Sequence, residues 1–226
     1  MMEEMNRTVR QATANQAAPK EVVMQRTLNW FVISLLIASI GAGIGNQLSP
    51  ELYFPLLLTE IILLVAAFIV RANKSAPKVL GYPILIAFAF VSGLTIGPVL
   101  THYFAIGAGN AVLMAFATTT VSFIAFAVIG AKVKKDLQAM GKILLIALIV
   151  LVVVTLFGMF IPLTSGTSTI ISGAGALLFS LYIVYDFNQM MKRTITLDDV
   201  PILALNLYLD FVNLFLYLLR LFAGRD

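Results

Sequence analysis

The chain has 226 residues, 60% of them hydrophobic and only 12% charged, with a mean hydropathy of +0.98; these values lie outside the range of soluble globular domains and define an integral membrane protein. It contains no cysteine, which excludes disulfides, thiolate-bound zinc, iron–sulfur clusters and covalent haem. The net charge of +4 and the pI near 9.4 reside in loops beside apolar runs, so they report orientation in a membrane and not a nucleic-acid partner.

Residues 1–27 are polar and read as a cytoplasmic tail, ahead of a bundle over 28–226. A signal peptide is not expected, because the apolar run that follows is longer than an h-region and no small-residue cleavage site comes after it. Seven runs are long enough to cross a bilayer as helices: Leu28–Leu48, Leu52–Val70, Leu80–Leu100, Ala111–Ala131, Ile143–Ile161, Ser168–Met191 and Ile202–Phe222. None shows the period-2 alternation of a membrane barrel, so the fold class is all-α.

Lysine and arginine set the topology. Arg7, Arg10, Lys20 and Arg26 precede the first span, Arg71, Lys74 and Lys78 follow the second, Lys132, Lys134, Lys135 and Lys142 follow the fourth, and Lys192 and Arg193 follow the sixth. The loops around Ser49, Gly107 and Ser165 have none, which places the N-terminus in the cytoplasm. Arg220 and Arg225 fall on the opposite side if the seventh helix crosses fully. Either the other loops override them or the last segment re-enters. Close-spaced small residues in "GAGIG" (41–45), "GLTIG" (93–97) and "SGAGA" (172–176) predict tight helix contacts, and Pro98 predicts a kink near the outer end of the third span.

Of the 11 acidic residues, three fall inside spans: Glu60, Asp186 and Asp210. A charged group there is costly, and it is a functional candidate by default. Counted from the cytoplasmic ends of their spans, Asp186 lies about 9 Å deep and Asp210 about 12 Å. On consecutive antiparallel helices they are neighbours. Asn206, Asp210, Asn213 and Tyr217 share one helix face, as do Tyr182, Asp186 and Gln189, so two polar stripes are expected to meet. Helix glue is the plainer account of such stripes, but amides alone would serve that role without the cost of charge.

Two carboxyls in contact in a low-dielectric site do not both ionise easily and share a proton, which makes the pair pH-sensitive. Ionised, they offer oxygens to a hard cation such as calcium, with Asn213, carbonyls or water completing a weak, transient site. Arg71 ends the second span; it serves either as a latch on Asp186 or as an interfacial anchor. Glu60, about 16 Å deeper than Arg71, is a second cation step or a neutral core residue, and Arg220 is its candidate partner although straight-helix depths match poorly.

"LYIVYDFNQM" followed by "LNLYLDFVNLFLYLLRLF", with "AFAFVSGLTIGPV" in the third span and "GAKVKKDL" after the fourth, resembles the Bax inhibitor-1 family, also called the transmembrane Bax inhibitor motif family. The short tail and absence of cysteine resemble its bacterial members, which implies a bacterial plasma membrane. The resemblance covers roughly residues 22 to 222. It implies seven transmembrane helices with the last at the centre, surrounded by the other six, and a pH-sensitive calcium leak. It further implies Asp186 and Asp210 as the paired aspartates and Arg71 as their latch, and the family's acidic residue of the second span and late arginine of the last helix match Glu60 and Arg220; with Asn206 and Asn213 from the polar stripe, these are the secondary pathway candidates.

The expected function is therefore a passive calcium path, with calcium as permeant ion, no cofactor and no enzymatic activity. Three other readings stand beside it. One is proton-coupled transport of a cation or small solute. Another, also associated with the family, is regulation of a membrane protease or of stress and cell-death signalling through the tail. The last is an intramembrane aspartyl protease, which Asp210 disfavours because "LYLDF" lacks the G-x-G-D pattern. No phosphate-binding loop is present to drive a nucleotide pump, and the serines lack a credible base for hydrolase chemistry.

Overall fold

A computed structural model describes residues 18–73, 78–160 and 164–224, without the side chains of Arg71, Lys78, Met159 and Phe160. Among the described residues it has seven long helices and no strand: α1 Lys20–Gly45, α2 Tyr53–Ala72, α3 Gly81–Ala105, α4 Gly109–Lys132, α5 Met140–Phe160, α6 Ser165–Lys192 and α7 Val200–Ala223. Each is long and apolar enough to span a bilayer. The expected all-α membrane fold with seven transmembrane helices is the observed one.

Helix α1 starts at Lys20, earlier than the apolar run alone indicates. The first turns are anchored by packing: Val23 and Thr27 are fully buried, the Thr27 hydroxyl donates back to the Val23 carbonyl, and Lys20 Nζ donates to the Met191 carbonyl at 2.9 Å. That last bond caps the open C-terminal carbonyls of α6 with a cation, where the helix dipole favours one. It also places the start of α1 beside the end of α6.

Helices α1 and α3 approach backbone to backbone. A Cβ added at Gly41 would strike the Phe90 carbonyl, at Gly45 that of Leu94, at Gly93 that of Ala38 and at Gly97 that of Ala42. "GAGIG" and "GLTIG" are thus two halves of one contact, in which glycine is needed because nothing larger leaves room for the opposing main chain. Helix α3 continues through Pro98 to Ala105. It then reverses into α4 in a short turn where Gly107 adopts φ +82° and Ala108 N–H donates to the Tyr103 carbonyl at 2.8 Å.

Helix α7 is the most enclosed, with 61% of its apolar window buried against 6% for α2. It packs on α1, α2, α3, α4 and α6, whereas α5 packs on α6. At the centre, Phe31 of α1 stacks on Phe123 of α4 at 5.0 Å, and Phe187 of α6 and Phe211 of α7 stand edge-on to Phe123. Lipid tails are as apolar as phenylalanine, so this cluster holds the helices by contact and shape more than by exclusion of water.

Candidate functional site

Between α6 and α7 the chain turns within residues 193–199. Thr196 and Asp199 form a capping box, with Thr196 N–H donating to Asp199 Oδ2 at 2.9 Å, and Pro201 supplies the preset φ of a first helical turn. This compact hairpin fixes how deep each helix stands relative to the other. As a result Asp186, half-buried on α6, is the charged group facing Asp210 on α7, and Tyr182 lies within electrostatic reach of both. Asp210 is 5% exposed, and its Oδ2 has no hydrogen-bond partner among the described residues. A buried carboxyl oxygen left in this way is costly unless the site exists to hold something.

Two cavities border α7, and Asp210 lines neither. The first, ≈140 Å³, lies at the basic end of the bundle and is lined by Asp186, Gln189, Arg193, Asp199 and Asn206 together with Tyr185 and apolar groups. The second, ≈240 Å³, lies between α2, α3 and α7 and contains Glu60, Ser92, Thr95, Tyr208 and Asn213. On α7 the first cavity is lined by Leu203 and Asn206 and the second by residues from Tyr208 to Leu216, so the second runs past the level of Asp210 on another face of the helix.

The two stripes therefore do not make one continuous seam. Asn206 shares the first cavity with Asp186, but Asn213 opens into the second, and its amide donates to its own Leu209 carbonyl at 2.7 Å. Tyr217 packs instead on α6, its ring stacked on Phe179 at 5.9 Å over the space left by Gly175.

Glu60 and Arg220 are not partners. Glu60 Oε1 accepts from the Thr95 hydroxyl at 2.5 Å, while the Arg220 guanidinium stands 5.6 Å from the Tyr217 ring and lines an open recess of ≈400 Å³ with Tyr103 and Ser168. The depth mismatch read from straight helices has this outcome. Arg71 belongs to the last turn of α2, and its side chain lies outside the described residues. Among the described residues no group of three His, Cys, Asp or Glu side chains could hold a metal ion.

Sequence reasoning missed Asn188. Its side chain is fully buried; Nδ2 donates to the carbonyls of Val133 and Lys135, each at 3.1 Å, and Oδ1 accepts from Leu137 N–H at 2.9 Å. Beside it Gln189 Nε2 donates to Asp136 Oδ1 at 3.0 Å. These two amides hold the basic loop after α4 against the end of α6. That Gln189 bond, aided by the Gln138 N–H and by Arg193 and Lys192, keeps the exposed Asp136 carboxyl below its usual range. The available signal was an Asn-Gln pair beside the aspartate of an apolar helix, matched to the motif "GAKVKKDL" that has no helical period of its own.

A polytopic α-helical protein with a carboxylate buried at its most enclosed helix is the class that these features define. The family model described as "Inhibitor of apoptosis-promoting Bax1" matches residues 20–226, and the chain belongs to that family. It is similar to an uncharacterized protein of Helicobacter pylori strain J99, 38% identical over 90% of this chain and 88% of the relative. An uncharacterized protein of Campylobacter jejuni is 37% identical over 88% and 87%. A Streptococcus pyogenes serotype M3 protein, 35% identical over 78% and 76%, is named an uncharacterized membrane protein.

Proposed function

We propose that this protein is a passive calcium path of a bacterial plasma membrane, with its N-terminus cytoplasmic, and that α7 serves as its axis. The observation that carries the reading is Asp210: a carboxyl buried within a transmembrane helix, facing an Asp186 that lines a cavity, with an unpartnered oxygen. On this reading the path is interrupted at Asp210, which lines neither cavity. Opening requires the helices around it to part enough to join the two cavities. Calcium then passes from the Asp186 cavity, held briefly by two carboxylates, Asn206 and water, toward Glu60 and Asn213; Arg220 lines the outer recess. A site with so few charged ligands binds weakly, as a path requires.

Protonation of the aspartate pair is the gate, because it changes both the charge offered to calcium and the attraction to Arg71, the proposed latch. Acid releases the latch and also weakens the ion site. The two effects oppose each other.

The distinction from coupled transport is made with purified protein in liposomes at equal calcium on both sides, with a pH gradient imposed. With the membrane potential clamped at zero by equal potassium and valinomycin, a leak produces no net calcium movement under those conditions. Accumulation of calcium against its gradient would replace this reading with proton exchange.

A further inference from the structure

The chamber around Glu60 differs in kind from the cavity at Asp186. It shares no lining residue with it, and one carboxyl, a few neutral oxygens and two aromatic rings converge there on an otherwise apolar wall. Tyr208 is 0% exposed and lines the chamber, and its hydroxyl lies beside the Ser92 hydroxyl without a hydrogen bond of good geometry. Phe88 stands edge-on to it at 6.0 Å. At one margin Ile61 is 51% exposed, on the loosely packed α2, so the chamber opens sideways toward the acyl chains.

We infer that the Glu60 chamber is a binding site for a small amphipathic organic monocation, an alkylammonium, that reaches it from the bilayer. A single carboxyl balances one positive charge, so a monocation can rest there, whereas a passing divalent ion is held only weakly. The oxygens of Ser92, Thr95 and Asn213, which line the chamber beside Glu60, are the acceptors an ammonium needs for its N–H groups. The apolar wall takes the alkyl chain; ≈240 Å³ exceeds what a lone inorganic ion fills and suits a short amine. A lateral opening favours a ligand that partitions into lipid over one that arrives through water.

Binding is read by thermal unfolding of the purified full chain in detergent with n-butylammonium chloride, n-butanol or sodium chloride, for wild type, Glu60→Gln, Ile61→Trp and Asp210→Asn. The amine should raise the midpoint in wild type and Asp210→Asn alike, while butanol and sodium do not. Glu60→Gln should weaken the apparent affinity by about tenfold or more, the size of one lost charge-assisted contact, and Ile61→Trp should weaken it by narrowing the opening. An equal response to sodium would overturn the inference in favour of an inorganic ion, and an equal response to butanol would make the chamber merely apolar. No shift in wild type would overturn it outright. Because Asp210→Asn is required to bind like wild type, the inference stands or falls separately from the calcium reading.

Discussion

Phe187 and Phe211, the residues that directly follow the two intramembrane aspartates, both stand edge-on to the Phe123 ring of α4, at 5.9 and 5.6 Å. One ring from a third helix thereby sets the register of α6 against α7. Since each phenylalanine adjoins its aspartate on antiparallel helices, the shared partner holds Asp186 and Asp210 within about 3 Å of the same depth. The repeated Asp-Phe is therefore a packing device as well as a charge device.

Removing that ring should loosen the pair without touching either carboxyl. Phe123→Ala is expected to lower stability by roughly 2–4 kcal/mol, in the lower part of the large-to-small range because lipid removes most of the transfer term. Thermal unfolding in detergent measures it. Phe123→Leu should recover much of the loss.

The α1–α3 contact makes a sharper steric prediction. Gly93→Val forces a side chain into the Ala38 carbonyl and should cost about 1–3 kcal/mol or more, whereas Gly43→Ala, which meets nothing within 4 Å, should be neutral. Melting midpoints of the two variants give the comparison. Equal midpoints would mean that the helices do not approach so closely.

Asn188→Leu removes the buried amide that serves the loop after α4. The carbonyls of Val133 and Lys135 and the Leu137 N–H lose their partner, at about 1–3 kcal/mol for buried groups left unsatisfied. Hydrogen exchange at Leu137 should accelerate while the centre of α7 stays protected.

Asp136 provides a control on pH. Its carboxyl is held below the ordinary aspartate value of 3.8, first by the Gln189 amide, so folding favours the ionised form. The sign follows: its contribution is fully present above 3.8 and is lost as pH falls through the lower folded value. Asp136 therefore stays ionised across the neutral range, and Asp136→Asn should leave any pH dependence of calcium flux between about pH 5 and 8 unchanged. A flattened profile would place the sensor in the loop.

How much of this was legible in the sequence differs from one level to the next. The spans, the glycine contacts and the proximity of Asp186 and Asp210 follow from hydropathy, spacing and depth, which depend only on the local chain and the thickness of a bilayer. The Glu60 chamber was not legible, because its hydroxyls come from Ser92, Thr95 and Tyr208 on two other helices, and sequence order says nothing about which faces meet. Asn188 was hidden for a related reason: its partners are main-chain groups more than 50 residues away, which carry no side-chain signature. Helix α1 begins before the apolar run at Leu28, because Lys20 and Thr27, polar in the sequence, are received by the Met191 and Val23 carbonyls.

The most direct test of the central claim is calcium influx into liposomes containing the purified protein, followed with an entrapped dye across pH, for wild type, Asp186→Asn and Asp210→Asn. The account predicts a flux that varies with pH in wild type and loses that variation in both variants. A flux whose pH dependence survives Asp210→Asn unchanged, or no flux above empty liposomes, would contradict it.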